Sequence, residues 1–341
     1  MTTGLVLGKF LPLHKGHIAL VNFALQHCHK LIVLLCYNKN ERIPGAVRAE
    51  WLQSTFEKDP RVEIVAALYD ENELPGTSVS SEESSRLWSN YIQQKLPSID
   101  VFVSSEPYGE YVAKFLNIRH ICFDQSRVQV PIAASDILHN PFKHWEFIAE
   151  AARPYFVKKI CISGSESTGK SVLTERLAKH FNTAFVPEMA RDIIGKTEEV
   201  MFEDLSKIAE HHARTINEKI KHANKTLICD TDVNITKSYA TFLFNRELHV
   251  PSWMSDANKF DMHLFLETDC PFVQDGTRLS KEERNRLSEF HKKQLINAGI
   301  PYTTITGTWE ERFEKAKQLI TNFIATAYSV SSPQENNNPH K

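Results

Sequence analysis

Residues 164–171 read GSESTGKS, a GxxxxGKS pattern between an apolar stretch, "KKICIS", and an amphipathic one, "VLTERLAKHF". That flanking context separates a phosphate-binding loop from a chance glycine turn. Glycines let backbone N–H groups curl around phosphate oxygens, and the start of the following helix adds positive potential. Gly164, Ser165, Glu166, Ser167, Thr168 and Gly169 are therefore expected to cradle a triphosphate. Lys170 would reach its β and γ phosphates and Ser171 would ligand Mg2+. This half of the chain is expected to bind a nucleoside triphosphate.

Nearby carboxylates and arginines suggest what happens to the γ-phosphate. "TLICDTD" reads as an apolar strand ending in Asp230 and Asp232, where an aspartate would hold the metal or its water. "AFVPEMARD" ends another strand with Glu188, followed by Arg191 and Asp192, at the carboxyl edge where doubly wound sheets bind ligands. A carboxylate there can take the proton of a substrate hydroxyl. Glu188 and Asp230 both qualify as that base, and residue types do not choose between them. "PFVQDGTRLSKEERNR" places Asp275, Arg278, Arg284 and Arg286 in a polar stretch suited to closing over phosphate. Arg278 is read as functional there, and Arg284 and Arg286 as solvated charges. These features together predict a small-molecule kinase.

A second constellation, HKGH, puts His14 and His17 where "GLVL" hands over to "IALVNFALQHC". Gly16 would let a phosphate approach the backbone, and two imidazoles can donate to phosphoryl oxygens as charge develops. A metal site is the rival reading, but no third ligand at suitable spacing and no cysteine accompanies the pair.

These motifs must be held by an α/β framework. Five short apolar segments in each half alternate with amphipathic ones, which predicts two doubly wound parallel-sheet domains. They are "GLVL", "LIVLLCY", "VEIVAAL", "VFVSS" and "HICF", then "KKICIS", "AFVPE", "TLICD", "HLFLET" and "YTTIT". A chain of 341 residues suits two cores. The boundary is expected near Pro154, giving domains over 1–153 and 154–328 and a disordered polar tail over 329–341. The charge of −2 argues against nucleic acid or an anionic membrane as a partner. Six scattered cysteines without a CxxC pair predict reduced buried thiols, not a disulfide frame or a zinc site. No signal peptide and no apolar run of bilayer length is evident, so a soluble cytoplasmic enzyme is expected. Size alone leaves a homo-oligomer open.

The opening "GKFLPLHKGH" resembles the signature of the nucleotidyltransferase superfamily. Taken with "WSNYI", "SSEPYGEYV", "NPFKHWEFI" and the later phosphate loop, the chain resembles the bifunctional NadR family over nearly its whole length. That family joins a nicotinamide mononucleotide (NMN) adenylyltransferase to a ribosylnicotinamide kinase. The resemblance implies a salvage enzyme using ATP and Mg2+, with nicotinamide riboside, NMN and ATP as substrates. His14 and His17 would stabilise α-phosphoryl transfer and departing pyrophosphate, while Gly8, Lys9 and Phe10 lie along the nucleotide. Trp88 and Asn90 match the segment near the nicotinamide nucleotide, and Arg127 in "FDQSRVQVP" an arginine near the triphosphate. Lys170, Ser171 and Asp230 match the kinase machinery, and Phe272 stands where the family usually has tryptophan in "PFVQDGTR", with an aromatic face toward nicotinamide.

One departure bears on activity. A family motif running approximately I-S-x-T-x-I-R appears here as "IAASDIL", so Ala133 replaces the serine and Leu138 the arginine, while Ser135 keeps a hydroxyl. Leucine cannot neutralise triphosphate charge. A kinase whose first domain only binds nucleotide is therefore the nearest alternative, and a nucleotide-sensing regulator is the alternative from another class. Some family members also carry an N-terminal helix-turn-helix domain. Here the chain opens on the first strand, and DNA binding of that kind is not expected.

Overall fold

The computed structural model describes residues 1–74, 81–190, 200–271 and 279–328. It divides into two compact units, Met1–Arg153 and the chain from Pro154 onward.

In the first unit β1 (Thr3–Gly8), β2 (Lys30–Tyr37), β3 (Val62–Leu68), β4 (Val101–Ser104) and β5 (Arg119–Cys122) form one parallel sheet in the order β3-β2-β1-β4-β5. The buried run Leu31–Cys36 suits β2, which is paired on both edges, while "VEIVAAL" alternates in exposure as an edge strand should. Helices α1 (Lys15–Ala24), α2 (Gly45–Phe56), α3 (Glu82–Lys95), α4 (Tyr108–Leu116) and α5 (Ala134–His139) connect or flank the strands. One core packs Leu5, Leu7, Ile32 and Leu34 against Trp88, Ile92 and Val112 of α3 and α4. Because β1 pairs with β2 on one side and β4 on the other, the chain reverses direction across the sheet there. Its carboxyl end is the topological switch point at which such folds bind ligands.

The second unit repeats the architecture. After a short turn of helix, α6 (Arg153–Phe156), come β6 (Lys158–Gly164), β7 (Phe185–Val186), β8 (Thr226–Asp230), β9 (Met262–Leu266) and β10 (Thr303–Ile305), all parallel, in the order β10-β9-β6-β8-β7. The helices are α7 (Lys170–His180), α8 (Phe202–Lys219), α9 (Val233–Phe244), α10 (Ser252–Ala257), α11 (Lys281–Asn297) and α12 (Trp309–Thr326). Ser280 and Thr308 open α11 and α12 with reciprocal capping by Glu283 and Glu311. Ile160 and Ile162 of β6 point into the core shared with α7 and α12, so Cys161 between them points to the opposite face. The switch point here is the end of β6, which carries GSESTGKS. All ten predicted strands are present. No described helix is long and apolar enough to cross a membrane.

Candidate active sites

At the end of β1 the chain bends sharply, with Phe10 at φ +48°, and α1 begins with His14 as its N-cap. The His14 Nδ1 accepts a hydrogen bond from the Gly16 N–H at 3.1 Å, which leaves its Nε2 as the protonated nitrogen. Gly16 is required by this contact, since a Cβ would lie 2.9 Å from the imidazole. His17 stacks on His14 with ring centroids 3.7 Å apart, and the Phe10 ring packs edge-on against it at 4.9 Å. Burial and the Arg127 charge bring His14 down to about 4, and burial, His14 and Arg127 likewise lower His17. Both rings are neutral at pH 7, so each carries one N–H.

They line a cleft of about 430 Å³ with Gly8, Lys9, Phe10, Ser104, Glu106, Asp124, Arg127, Ile132 and Ala133. Arg127 adopts φ +53° and pairs with Glu106 at 3.2 Å. The loop that presents it is wound around Asp124, whose carboxylate accepts from the backbone N–H groups of Val128, Gln129 and Val130 at 2.8–3.2 Å. Lys9 is tethered by Glu41 at 3.0 Å, and its charged form is favoured by Tyr69 and Glu41 against the opposing effect of burial. Glu41 in turn meets the fully buried Arg48, which donates to the Lys9 carbonyl at 2.6 Å. Sequence reasoning missed Glu41, Arg48 and Asp124. Only Asp124 leaves a trace, in the polar turn "FDQSR".

Other expected residues of this unit stand outside that cleft lining. Trp88 is 2% exposed and belongs to the hydrophobic core, packed edge-on against Tyr69 at 5.2 Å, so it does not line the cleft. Asn90 is exposed, because residues two apart on a helix face different ways. Ser135 is exposed on α5 and also outside the cleft lining. At Leu138, the carbonyl accepts from the Arg42 guanidinium at 3.3 Å, which brings a cation to α5 from elsewhere in the chain.

In the second unit the loop from Gly164 to Ser171 uses three residues at positive φ, namely Gly164, Ser167 and Gly169. Gly169 is the tightest: a Cβ there would lie 2.1 Å from the Trp309 ring, which half-exposes itself beside the loop. Lys170 is buried and donates to the Ser165 carbonyl at 3.0 Å, and the Ser171 hydroxyl donates to the Asp230 carboxylate at 2.6 Å. These two oxygens form a hard donor pair that fits Mg2+. The two aspartates of "DTD" divide their work: Asp230 faces Ser171, while Asp232 caps α9 by accepting from the Ile235 N–H at 3.0 Å. Glu166 accepts from the Leu279 N–H at 3.1 Å. Burial and the charges of Glu166 and Glu188 push the Tyr239 phenol well above its ordinary range, so both carboxylates lie around that ring. His291, hydrogen-bonded to Ser238 at 2.7 Å, is lowered to about 3 by burial and the Lys170 charge. Tyr239 and His291 gave no sequence signal.

Arg312 is a further residue the sequence did not announce beyond its place in a capped helix. Fully buried, it donates to the carbonyls of Thr168, Glu267 and Gly307 at 2.8–3.0 Å and pairs with Asp269, tying the phosphate loop to the ends of β9 and β10. Arg284 corrects the reading of a solvated charge, since it is buried and donates to the Thr268 carbonyl at 2.9 Å, whereas Arg286 is exposed. Arg191, Asp192, Phe272, Asp275, Arg278 and the tail 329–341 lie outside the described residues.

Both units have counterparts among known proteins. Residues 5–129 match the cytidylyltransferase-like family and residues 159–312 the AAA domain family. The trifunctional NAD biosynthesis/regulator protein NadR of Escherichia coli K12 is 28% identical over 94% of this chain and 82% of its own length. Its Salmonella typhimurium LT2 counterpart is 30% identical over 93% and 82%. Among solved structures, a NadR protein in complex with NR has TM-score 0.75 at 20% identity, and one with NAD and AMP-PNP has 0.73 at 21%, each covering 98% of both chains. Both structures share the fold of this chain, and the 30% identity to the Salmonella relative establishes that the chain belongs to the NadR family.

Proposed function

We propose that the chain makes NAD in two steps, phosphorylating nicotinamide riboside in the second unit and adenylylating the resulting NMN in the first. The observation that carries this reading is that both strand-to-helix junctions keep their phosphate-handling groups in one chain that aligns with NadR proteins over 94% of its length.

In the second unit the riboside 5′-oxygen attacks the γ-phosphorus of ATP, and the bond to the β-γ bridging oxygen breaks. Lys170 and the loop N–H groups hold the phosphates in line. Ser171 and Asp230 would hold Mg2+, which supplies charge neutralisation at the phosphates. Because Asp230 already receives the Ser171 hydroxyl, the hydroxyl proton of the substrate is assigned to the rival base Glu188, whose charge acts on Tyr239. In the first unit an NMN phosphate oxygen attacks the α-phosphorus of a second ATP, and pyrophosphate leaves. His14 and His17 donate N–H bonds as charge builds on the phosphoryl oxygens, and Arg127 faces the same cleft. Neither step requires a covalent enzyme intermediate.

A second reading has support from Ala133 and Leu138, where the family pattern places serine and arginine: the first unit binds nucleotide but turns over slowly. Product chromatography separates the two. With ATP, Mg2+ and nicotinamide riboside, NAD is expected, and a parallel reaction from NMN should also yield NAD. If the riboside gives only NMN and the second reaction stays silent, the kinase-only reading replaces the two-step one.

A further inference from the structure

Inside the second unit, on the sheet face opposite α7 and α12, three donors of different chemistry meet. Cys161 lies mid-strand on β6 and His263 is its in-register partner on β9, so both side chains leave the same face. Asp232 arrives from the N-cap of α9. All three are buried, and one donor atom from each lies within 4.8 Å of the others. The His263 Nδ1 stands 3.9 Å from the Asp232 Oδ2, too far for a direct hydrogen bond, and has no hydrogen-bond partner among the described residues. An unsatisfied buried nitrogen is costly, and a group bonding to all three donors removes that cost.

We propose that Cys161, Asp232 and His263 bind one zinc ion in the interior of the second unit. A thiolate, an imidazole and a carboxylate are the donor types zinc prefers, and bonds of about 2.0–2.3 Å place tetrahedral ligands roughly 3.3–3.6 Å apart, which these donors reach by small movements. Asp232 can ligate without giving up its cap. Its Oδ1 accepts from Ile235 and its Oδ2 from the Asn234 amide at 2.7 Å, and each oxygen keeps a second lone pair. On binding, the Cys161 S–H bond breaks, its proton passes to solvent and an S–Zn bond forms with no change of oxidation state. Cys229 is in register with Cys161 on β8, and His212 on α8 feels the Asp232 charge, so both belong to the surroundings of this group. The ion would fasten β6, β9 and α9 together two residues from Asp230. It is distinct from the all-oxygen Ser171–Asp230 pair.

The test uses the full chain without a histidine tag, dialysed against micromolar zinc and measured for metal per chain by mass spectrometry. A parallel sample is loaded with cobalt(II) and scanned for a thiolate-to-cobalt band in the near ultraviolet. We expect one metal per chain and the band. Cys161→Ala should lose the band and weaken zinc binding about 100-fold or more, while Asp230→Asn keeps both. Circular dichroism establishes that Cys161→Ala is folded; should it not be, His263→Gln makes the same comparison through loss of zinc stoichiometry. A wild-type chain that takes up no metal overturns the proposal, as does a band and stoichiometry that survive Cys161→Ala.

Discussion

At the end of β1 the groups facing the cleft are two imidazoles kept neutral by burial, and the permanent cations around them are already paired, Lys9 and Arg48 with Glu41 and Arg127 with Glu106. At the end of β6 a buried lysine rests on a backbone carbonyl and a serine rests on an aspartate. The first junction offers hydrogen bonds that strengthen as phosphoryl charge develops. The second offers fixed charge and an oxygen pair for a cation. On the proposed reading, the same topological position in two parallel sheets serves two kinds of phosphate chemistry, by side chains and not by fold.

Lys170→Ala tests that division most severely. Phosphorylation of the riboside should fall about 1000-fold or more, with NAD formation from NMN unchanged, in a coupled assay of each half-reaction. Loss of both would mean that the two sites do not work independently. His17→Ala should do the reverse, cutting NAD formation from NMN by roughly 100-fold while riboside phosphorylation proceeds. Equal activity of wild type and this variant would remove the imidazoles from the chemistry.

Gly169→Ala probes the rigidity of the second junction. It meets both the Trp309 ring and a φ of +82°, so the unfolding free energy should drop by about 1–3 kcal/mol in denaturant melts. Adding Trp309→Ala should recover only the steric part. If Gly169→Ala is neutral, the loop relaxes more readily than its packing indicates.

Acid should weaken both units through their buried imidazoles. His14 falls to about 4 and His291 to about 3 from an ordinary 6.5, so between those values and 6.5 the unfolded chain binds more protons than the folded one. Their contribution is complete above pH 6.5 and declines as pH drops toward 4 and 3. Denaturation midpoints measured from pH 7 to pH 4 should decline, and His291→Phe should flatten the slope. The smallest effect is expected from Leu138→Arg, which should raise kcat/KM for ATP in NAD formation by a few-fold, roughly 1 kcal/mol of added charge stabilisation. No gain would indicate that Arg42, already at the Leu138 carbonyl, supplies that charge.

Local pattern made much of this molecule legible. Ten strands could be read because each is a short apolar run between turn or helix signals, and the phosphate loop because its glycines, lysine and serine must be consecutive to wrap one ligand. The histidine pair was legible for the same reason: His14 caps the helix whose first turn carries His17. What the sequence could not determine are partnerships made across strands and helices. Trp88 is a core residue because α3 turns that face inward, a matter of packing that "WSN" does not encode. Arg312 reaches the phosphate loop from 144 residues away, and Arg48 reaches Lys9 from 39, so no spacing rule announces either. Cys161, Asp232 and His263 are likewise far apart along the chain, which is why scattered cysteines read as inert thiols. The sequence by itself determined which elements form and which residues sit at their junctions, since those follow from neighbours along the chain. Only the tertiary structure decided which charges are neutralised, which imidazoles stay neutral and which donors converge, because burial and Coulomb interactions depend on distance in space.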